Sequence, residues 1–191
     1  KEAHVNLIGA LQGGTIAINA NNGSLLVGDL ISANVSAEES ASALGVQPGA
    51  VRGGTITALV SNNGDILASA MNYGANAVSG GDTVGGSVSL TTNSGGRIRS
   101  TGTIGIDASA MTRGLESAGD AIGGNIIVNI NSGSLQSGPL ILDANALGGE
   151  AIFGGIGGSA VGGSAIVNIS GGDSIIESFN LTTVAAGGRG G

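Results

Sequence analysis

Two aspartates stand at the same place in two similar stretches of this sequence, IDASA (106–110) and LDANA (142–146). If the two stretches form neighbouring strands in register, the carboxylates of Asp107 and Asp143 stack about 5 Å apart. That separation resembles the carboxylate pair of retaining glycosidases. Two close carboxylates also attract a hard cation such as calcium. These two residues are therefore the candidates for hydrolytic chemistry or for a metal site.

The same aspartates have a simpler interpretation as turn-forming residues. A short polar side chain at the end of a strand accepts a hydrogen bond from the backbone of the turn that follows. Uncharged residues stand at the equivalent place in other parts of the chain, namely Ser32 and Thr182 or Thr183. No Lys, Arg or His is expected in register to act with the pair. Capping is therefore favoured, and the sequence predicts no catalytic residue, no cofactor and no metal site.

Three other features could carry chemistry, and each has a structural explanation. The triplets Gly80-Gly81-Asp82 and Gly171-Gly172-Asp173 are similar to calcium-binding nonapeptide repeats, but no tandem units follow them, so each Asp is expected to favour a bend. His4 is the only histidine, which excludes a histidine-cluster metal site, and a solvated or end-packed position is expected. Asp65 and Arg97 each follow a turn glycine. They should lie on adjacent coils as an exposed ion pair worth about 0–1 kcal/mol.

Composition limits the class of protein. The chain has 191 residues, of which 39 are glycine, and it has no cysteine, no tryptophan and 10% charged residues. Its many aliphatic residues argue against disorder, and its glycines lack the period of collagen. Only six Lys and Arg and a net charge of −7 argue against a nucleic-acid partner. No apolar run predicts a membrane span or a signal peptide, and the start at Lys1 suggests a piece of a longer protein.

A repeat organises the chain. Five glycine pairs, each followed by a small polar residue, begin near 13, 53, 85, 123 and 162. The second, fourth and sixth residues after each pair are mostly apolar, as in Ile126, Val128 and Ile130, which is the period of a half-buried strand. An Asn/Ser/Gly turn, a second short strand and a third strand follow. The second block fits the third strand least well, because it contains Met71 and Tyr73.

Three short strands with the same turn chemistry describe one coil of a solenoid. One coil cannot bury its apolar face alone, whereas stacked coils form a continuous core. We therefore predict an all-β fold, a parallel β-solenoid of about five coils that forms one repeat-built segment over 1–191. The stretches between the third strand and the next glycine pair should form ordered, glycine-rich loops along one side. These are 36–52, 77–84, 110–122, 146–161 and, split across the two chain ends, 185–191 and 1–12.

The repeat pattern GG-x-[IV]-x-[IV], followed by N-S-G and then by D-A-[SN]-A, resembles the passenger region of bacterial autotransporters and filamentous-haemagglutinin-like proteins. The resemblance covers essentially the whole chain, although the coils here are longer than the plain coils of that family. It implies that the solenoid is a right-handed β-helix, exported unfolded and displayed outside the cell. The expected location is extracellular, at the bacterial cell surface.

The sequence thus predicts a structural and adhesive rod module, not an enzyme. Its expected partners are further coils of the same protein or a second copy at the coil ends, together with surface glycans or neighbouring cells; membrane insertion is not expected. The alternative is a polysaccharide-acting β-helix enzyme, which needs clustered carboxylates with basic residues in a cleft. A third hypothesis is an ice- or surface-binding solenoid, which needs a flat Thr-x-Thr ladder, and only Thr55-Ile56-Thr57 fits that pattern.

Overall fold

A computed structural model of the protein describes residues 10–39, 49–113, 118–151 and 155–190. These residues form short β-strands and no helix, and every strand pair is parallel. The strands stack as a β-solenoid. A chain that passes five times through the same sheet completes about four full turns, and up to five strands therefore lie above one another. The predicted fold class is confirmed.

Four parallel sheets run along the stack, and we number them in the order in which the chain visits them. Sheet 1 contains β1 (Leu11–Gln12), β6 (Val51–Arg52), β11 (Thr83–Val84), β16 (Ala121–Ile122) and β20 (Ala160–Val161). Sheet 2 contains β2 (Thr15–Asn21), β7 (Thr55–Ser61), β12 (Ser87–Thr92), β17 (Asn125–Ile130) and β21 (Ser164–Ile169). We call the coils 1 to 5 after the strand of sheet 2 that each contains.

The other two sheets follow after the turn that ends sheet 2. Sheet 3 contains β3 (Ser24–Leu26), β4 (Leu30–Asn34), β8 (Asp65–Ala68), β9 (Ala70–Gly74), β13 (Arg97–Ser100), β14 (Ile104–Asp107), β18 (Ser134–Asp143) and β22 (Asp173–Thr182). Sheet 4 contains β5 (Ala37–Glu38), β10 (Ala77–Ser79), β15 (Ala110–Thr112), β19 (Ala146–Leu147) and β23 (Ala185–Ala186). In coils 4 and 5 a single ten-residue strand of sheet 3 replaces the two strands of the earlier coils.

The main core lies between sheets 2 and 3. Alternate residues of each strand point inward, and equivalent residues stack on one another from coil to coil. Val128, for example, is buried, with Leu90 and Val167 as its register partners in the coils on either side. The predicted period of two and the predicted register of sheet 2 are both confirmed.

The stretches predicted as loops contain more structure than the sequence indicated, because parts of them pair as sheets 1 and 4. These two sheets enclose a second, narrow core of small side chains, which includes Ala37, Val51 and Ala77 at one end and Ala110 and Ala146 at the other. Alanine permits the close approach of the two sheets. Each coil therefore has strands beyond the three that were predicted, and its cross-section has two lobes.

A waist separates the two lobes, and the glycine pairs form it. The amide of Gly86 donates to the carbonyl of Ala75 at 2.7 Å, and the amide of Gly124 donates to that of Ala108 at 2.7 Å. A Cβ atom on Gly53 would lie 2.0 Å from the carbonyl oxygen of Ala75. No side chain fits at that distance, so the backbone contact across the waist explains the repeated glycine pair.

The second block, which was expected to fit the third strand least well, fits it in full register. Met71 and Tyr73 of β9 pair with Ile104 and Ile106 of β14, and both side chains are buried. The Tyr73 hydroxyl contacts the Met71 sulfur at 3.5 Å. The main core therefore accommodates one large ring in this coil.

Burial raises the pKa of Tyr73 to about 12. An unfolded tyrosine ionises near pH 10. Because the folded pKa is the higher one, the stabilisation is complete below about pH 10 and is lost as the pH rises toward 12; the free energy of unfolding should fall by about 2–3 kcal/mol in this interval. Tyr73 is the only tyrosine and tryptophan is absent, so its phenolate absorbance can be followed directly. Identical titration curves for the native and the urea-unfolded chain would contradict this prediction.

Thr92 carries a buried hydroxyl oxygen without a hydrogen-bond partner. Thr92→Val removes this unsatisfied group at nearly constant volume, so we expect the free energy of unfolding to rise by about 1–2 kcal/mol. Thr83→Val is the matched control, because the buried Thr83 hydroxyl lies 3.1 Å from that of Thr112. Urea denaturation should show stabilisation in the first variant only; a loss of stability in both would contradict the assignment.

Candidate functional site

A ladder of polar side chains lies at the corner between sheets 3 and 4. The backbone amide of Asn76 donates to Ser36 Oγ at 3.1 Å, and that of Ser109 donates to Asn76 Oδ1 at 3.1 Å. The amide of Asn145 donates to Ser109 Oγ at 3.3 Å, and that of Val184 donates to Asn145 Oδ1 at 2.8 Å. Side-chain oxygens thus satisfy backbone donors of the next coil, as a corner between strands requires.

Asp107 and Asp143 lie beside this ladder and are register partners in neighbouring coils. Asp107 accepts the amide of Ser109 at 3.0 Å through Oδ1 and the amide group of Asn76 at 2.8 Å through Oδ2. Asp143 accepts a hydrogen bond from the hydroxyl of Thr182. Asp107 therefore caps the corner that follows its own strand. Asp143 instead bonds to the strand of the next coil through Thr182, so the predicted capping geometry is shown for Asp107 only.

The equivalent positions in the other coils differ in part from the prediction. Thr182 is the register partner of Asp143, as expected. Ser32 is displaced, because it pairs with Asn72, and Asn34 occupies the equivalent position in coil 1. Asn34 accepts the amide of Ser36 at 2.8 Å, so the capping geometry persists there without a charge.

The two aspartates lie at a common surface depression. Both border a shallow depression of about 340 Å³, whose lining includes Asn34, Asn72 and Asn76 but no Lys, Arg or His. Over 10–39, 49–113, 118–151 and 155–190, no group of three metal-ligating side chains converges. The hydrogen bond from Asn76 to Asp107 connects coils 2 and 3, and the one from Thr182 to Asp143 connects coils 4 and 5.

Calcium titration tests the capping interpretation. We expect that calcium leaves the melting temperature of the wild-type chain unchanged. We also expect the double variant Asp107→Asn/Asp143→Asn to melt within a few degrees of it, because an asparagine oxygen can still accept the Ser109 amide at the first position and the Thr182 hydroxyl at the second. A rise in melting temperature with calcium that the double variant loses would instead establish a metal site.

Asp65 lies in a different environment from the one predicted. Arg97 is its register partner, as expected, but the side chain of Asp65 is only 5% exposed. Its main partner is Arg99, whose Nε donates to Asp65 Oδ1 at 3.2 Å and whose Nη2 contacts Oδ2; Arg97 Nη2 lies 3.7 Å away. The expectation of an exposed pair is therefore wrong, because two guanidinium groups from the next coil cover the carboxylate.

The pKa of the Arg99 guanidinium is raised further above its usual range, because the group donates a hydrogen bond to Asp65 and lies beside the negative charge of that carboxylate. Arg99 was missed in the sequence, although the alternation of strand residues could have indicated it. Arg97 and Arg99 are two residues apart on one strand, so both side chains lie on the outer face.

The other predicted sites serve the backbone or lie outside the described residues. Asp82 accepts the amide of Asp120 at 3.0 Å, and Asp120 accepts the amide of Ser159 at 2.7 Å, so the aspartates form a second corner ladder before sheet 1. Asp173 is the first residue of β22. His4 lies outside the described residues.

The outer side of sheet 2 carries no charged side chain. We call this surface the neutral face; it has three columns of outward residues, each with one member from every coil. The columns are Thr15, Thr55, Ser87, Asn125 and Ser164; Ala17, Thr57, Ser89, Ile127 and Ile166; and Asn19, Leu59, Thr91, Asn129 and Asn168. The motif Thr55-Ile56-Thr57 lies here with both threonines outward, but its hydroxyls do not continue as a threonine ladder.

Comparison with known proteins found no match: no family model, no curated protein and no solved structure is significantly similar to this chain. Of the described residues, none forms a helix that is long and apolar enough to cross a membrane.

Proposed function

We propose that this chain is a segment of a structural and adhesive rod displayed outside a bacterial cell. The observation that carries the proposal is the stack itself, in which core, polar corners and glycine waist repeat from coil to coil. Such an architecture extends by adding coils, because each coil contacts only its neighbours. The resemblance of the repeats to autotransporter passengers and filamentous-haemagglutinin-like proteins supports the same role and the extracellular location.

Further coils, from the same protein or from a second copy, are the proposed partners at the two ends of the stack. Inward residues of coil 5 such as Phe179 and Leu181 are exposed, as is Leu25 of coil 1. Their register partners elsewhere in the stack are buried between two coils. A strand row that ends a stack also leaves backbone groups free to pair.

The proposal of a non-enzymatic role has support from the aspartates at the polar corner. Asp107 and Asp143 each accept hydrogen bonds from neighbouring residues, and the lining of the depression beside them contains no Lys, Arg or His. The alternative, a polysaccharide-acting enzyme, needs clustered carboxylates together with basic residues in a cleft, and basic residues are missing from this lining.

Sedimentation velocity and electron microscopy over a range of concentrations test the rod. We expect particles that lengthen at constant width as concentration rises, by an axial rise of about 4.8 Å per coil. Particles of one size at all concentrations would contradict association through the coil ends. Release of reducing sugars from plant or bacterial polysaccharides, lost in Asp107→Asn/Asp143→Asn, would favour the enzyme.

A further inference from the structure

We infer that Asn22 is a site of spontaneous covalent modification, at which the side-chain amide is lost and a carboxylate takes its place. Asn22 and Asn63 each precede a glycine, in the turn that leads from sheet 2 to sheet 3. Both residues have a positive φ, of 52° and 60° respectively. The two Asn-Gly pairs are thus alike in local chemistry, and their neighbours in the stack decide which of them reacts.

The reaction needs a free backbone amide on the residue after the asparagine. When hydroxide removes the proton of the glycine amide, that nitrogen attacks the side-chain carbonyl carbon, Cγ, and closes a succinimide ring. The bond from Cγ to Nδ2 breaks, and Nδ2 takes a proton from water and leaves as ammonia. Water then opens the ring at either carbonyl carbon, which gives aspartate or isoaspartate. Glycine favours the attack because it has no Cβ beside the nitrogen.

The amide of Gly23 is free for this attack. Asn22 and Gly23 are both exposed. Within the described part of the chain, the Gly23 amide donates to no backbone carbonyl, whereas the preceding amide of Asn22 donates to that of Ser61 at 3.2 Å. Solvent therefore reaches the nitrogen that must lose its proton.

The amide of Gly64 is protected, although it follows an asparagine in the same way. It donates to the carbonyl of Ser61 at 2.9 Å, and Gly64 is buried. The amide of Asn63 also donates to the carbonyl of Ser94 in the next coil, at 3.0 Å. Attack on Asn63 requires these bonds to open first, so its rate is reduced to the fraction of time for which the turn is open.

The turn of coil 1 can hold the products of the reaction. Coil 2 has two residues, Asn62 and Asn63, where coil 1 has Asn22 alone, so this corner accommodates the longer backbone of isoaspartate. In all five coils the corner consists of Asn, Ser and Gly, at 21–23, 61–64, 93–96, 131–133 and 170–172. The new carboxylate is therefore the first charge at this corner, and it accumulates with the age of the chain.

Gly23→Ala is the variant that blocks the reaction without disturbing the fold. A Cβ on Gly23 would meet only the carbonyl oxygen of Asn21, at 3.8 Å, and the added methyl group hinders attack by the adjacent nitrogen. Gly64 cannot be changed in the same way, since a Cβ there would lie 2.2 Å from the carbonyl oxygen of Ala20. The urea-unfolded wild-type chain is therefore the control for Asn63, because it keeps both dipeptides and loses the hydrogen bond of Gly64.

The experiment incubates the full chain at mildly alkaline pH, both folded and in urea, and follows the modification by peptide mass spectrometry. Cleavage after Arg52 and Arg97 places Asn22 and Asn63 in separate peptides. We expect Asn22 to react at least about tenfold faster than Asn63 in the folded chain, and the two to react at similar rates in urea. Gly23→Ala should suppress the reaction at Asn22 while circular dichroism and melting temperature stay unchanged.

Three results would overturn the inference. The first is equal rates at Asn22 and Asn63 in the folded chain, or faster reaction at Asn63 or at another asparagine. The second is a folded chain in which Asn22 stays intact for as long as the unfolded chain takes to react. The third is the same preference for Asn22 in urea, since the fold would then not select the site. Association through the coil ends does not enter these rates, so the rod is judged separately.

Discussion

Val128→Asp is expected to unfold coil 4 and the coils on either side of it. The Val128 side chain is 2% exposed and lies in the main core, with Leu90 and Val167 as its partners in the coils on either side. An aspartate there would be a carboxylate without a partner, and its burial should lower the free energy of unfolding by more than about 4 kcal/mol. Because coils contact only their neighbours, the loss should be greatest in coils 3 to 5. Urea denaturation measures the total loss, and hydrogen exchange resolved by coil locates it.

Ile127→Asp is the matched control for this prediction. Ile127 is the preceding residue on the same strand, but its side chain is half-buried on the neutral face. We expect a loss of about 1 kcal/mol or less, since the new carboxylate remains in water. Equal losses for the two variants would show that the inward and outward positions of β17 have been exchanged, because a shift of one residue reverses the faces of a strand.

Gly86→Ala should have the second large effect, although it adds only one methyl group. That methyl carbon would lie 2.1 Å from the carbonyl oxygen of Gly54 and 2.9 Å from the Cβ of Ala75. Relief of the clash requires movement of the backbone at the waist, where the Gly86 amide donates to the Ala75 carbonyl. We expect the free energy of unfolding to fall by about 3 kcal/mol or more. Urea denaturation followed by circular dichroism measures the change.

Two other glycines control for the effect of the substitution itself. Gly14 holds the same place in the repeat as Gly86, but a Cβ there would meet nothing within 4 Å. Gly105 lies in the same coil as Gly86, and its Cβ would meet only the amide oxygen of Asn72, at 3.1 Å. Alanine at either position should change the stability by less than about 1 kcal/mol. A comparable loss in all three variants would show that the waist contact is not the cause.

The residues of the waist and corners differ in their hydrogen bonding from the outer residues of sheet 2. At the waist and the polar corners, glycine, asparagine, serine and aspartate residues form hydrogen bonds with the backbone of neighbouring segments. These residues therefore hold the stack together. The outer side chains of sheet 2 do not form such hydrogen bonds with the backbone in most of the described coils.

The main core was determined by the sequence alone. Strands of six or seven residues, such as β7 and β17, show the alternation of apolar and polar residues clearly, and the turn after them repeats in each block. Period and turn together set the register, so the inward position of Val128 and the pairing of Asp107 with Asp143 followed from spacing.

Only the tertiary structure decided the rest. The strands of sheets 1 and 4 are mostly two residues long, too short for an alternation to be visible, and they exist because the coils above and below supply their hydrogen-bond partners. The glycine pairs marked the start of each repeat, but their role depends on a carbonyl such as that of Ala75, which the chain brings across the waist from a distance in sequence. The burial of Asp65 likewise depends on Arg99 of the next coil. The pattern of residues along one strand indicates which way a side chain points. Its burial and its close contacts depend on the residues of the neighbouring coil or strand, which the pattern does not identify.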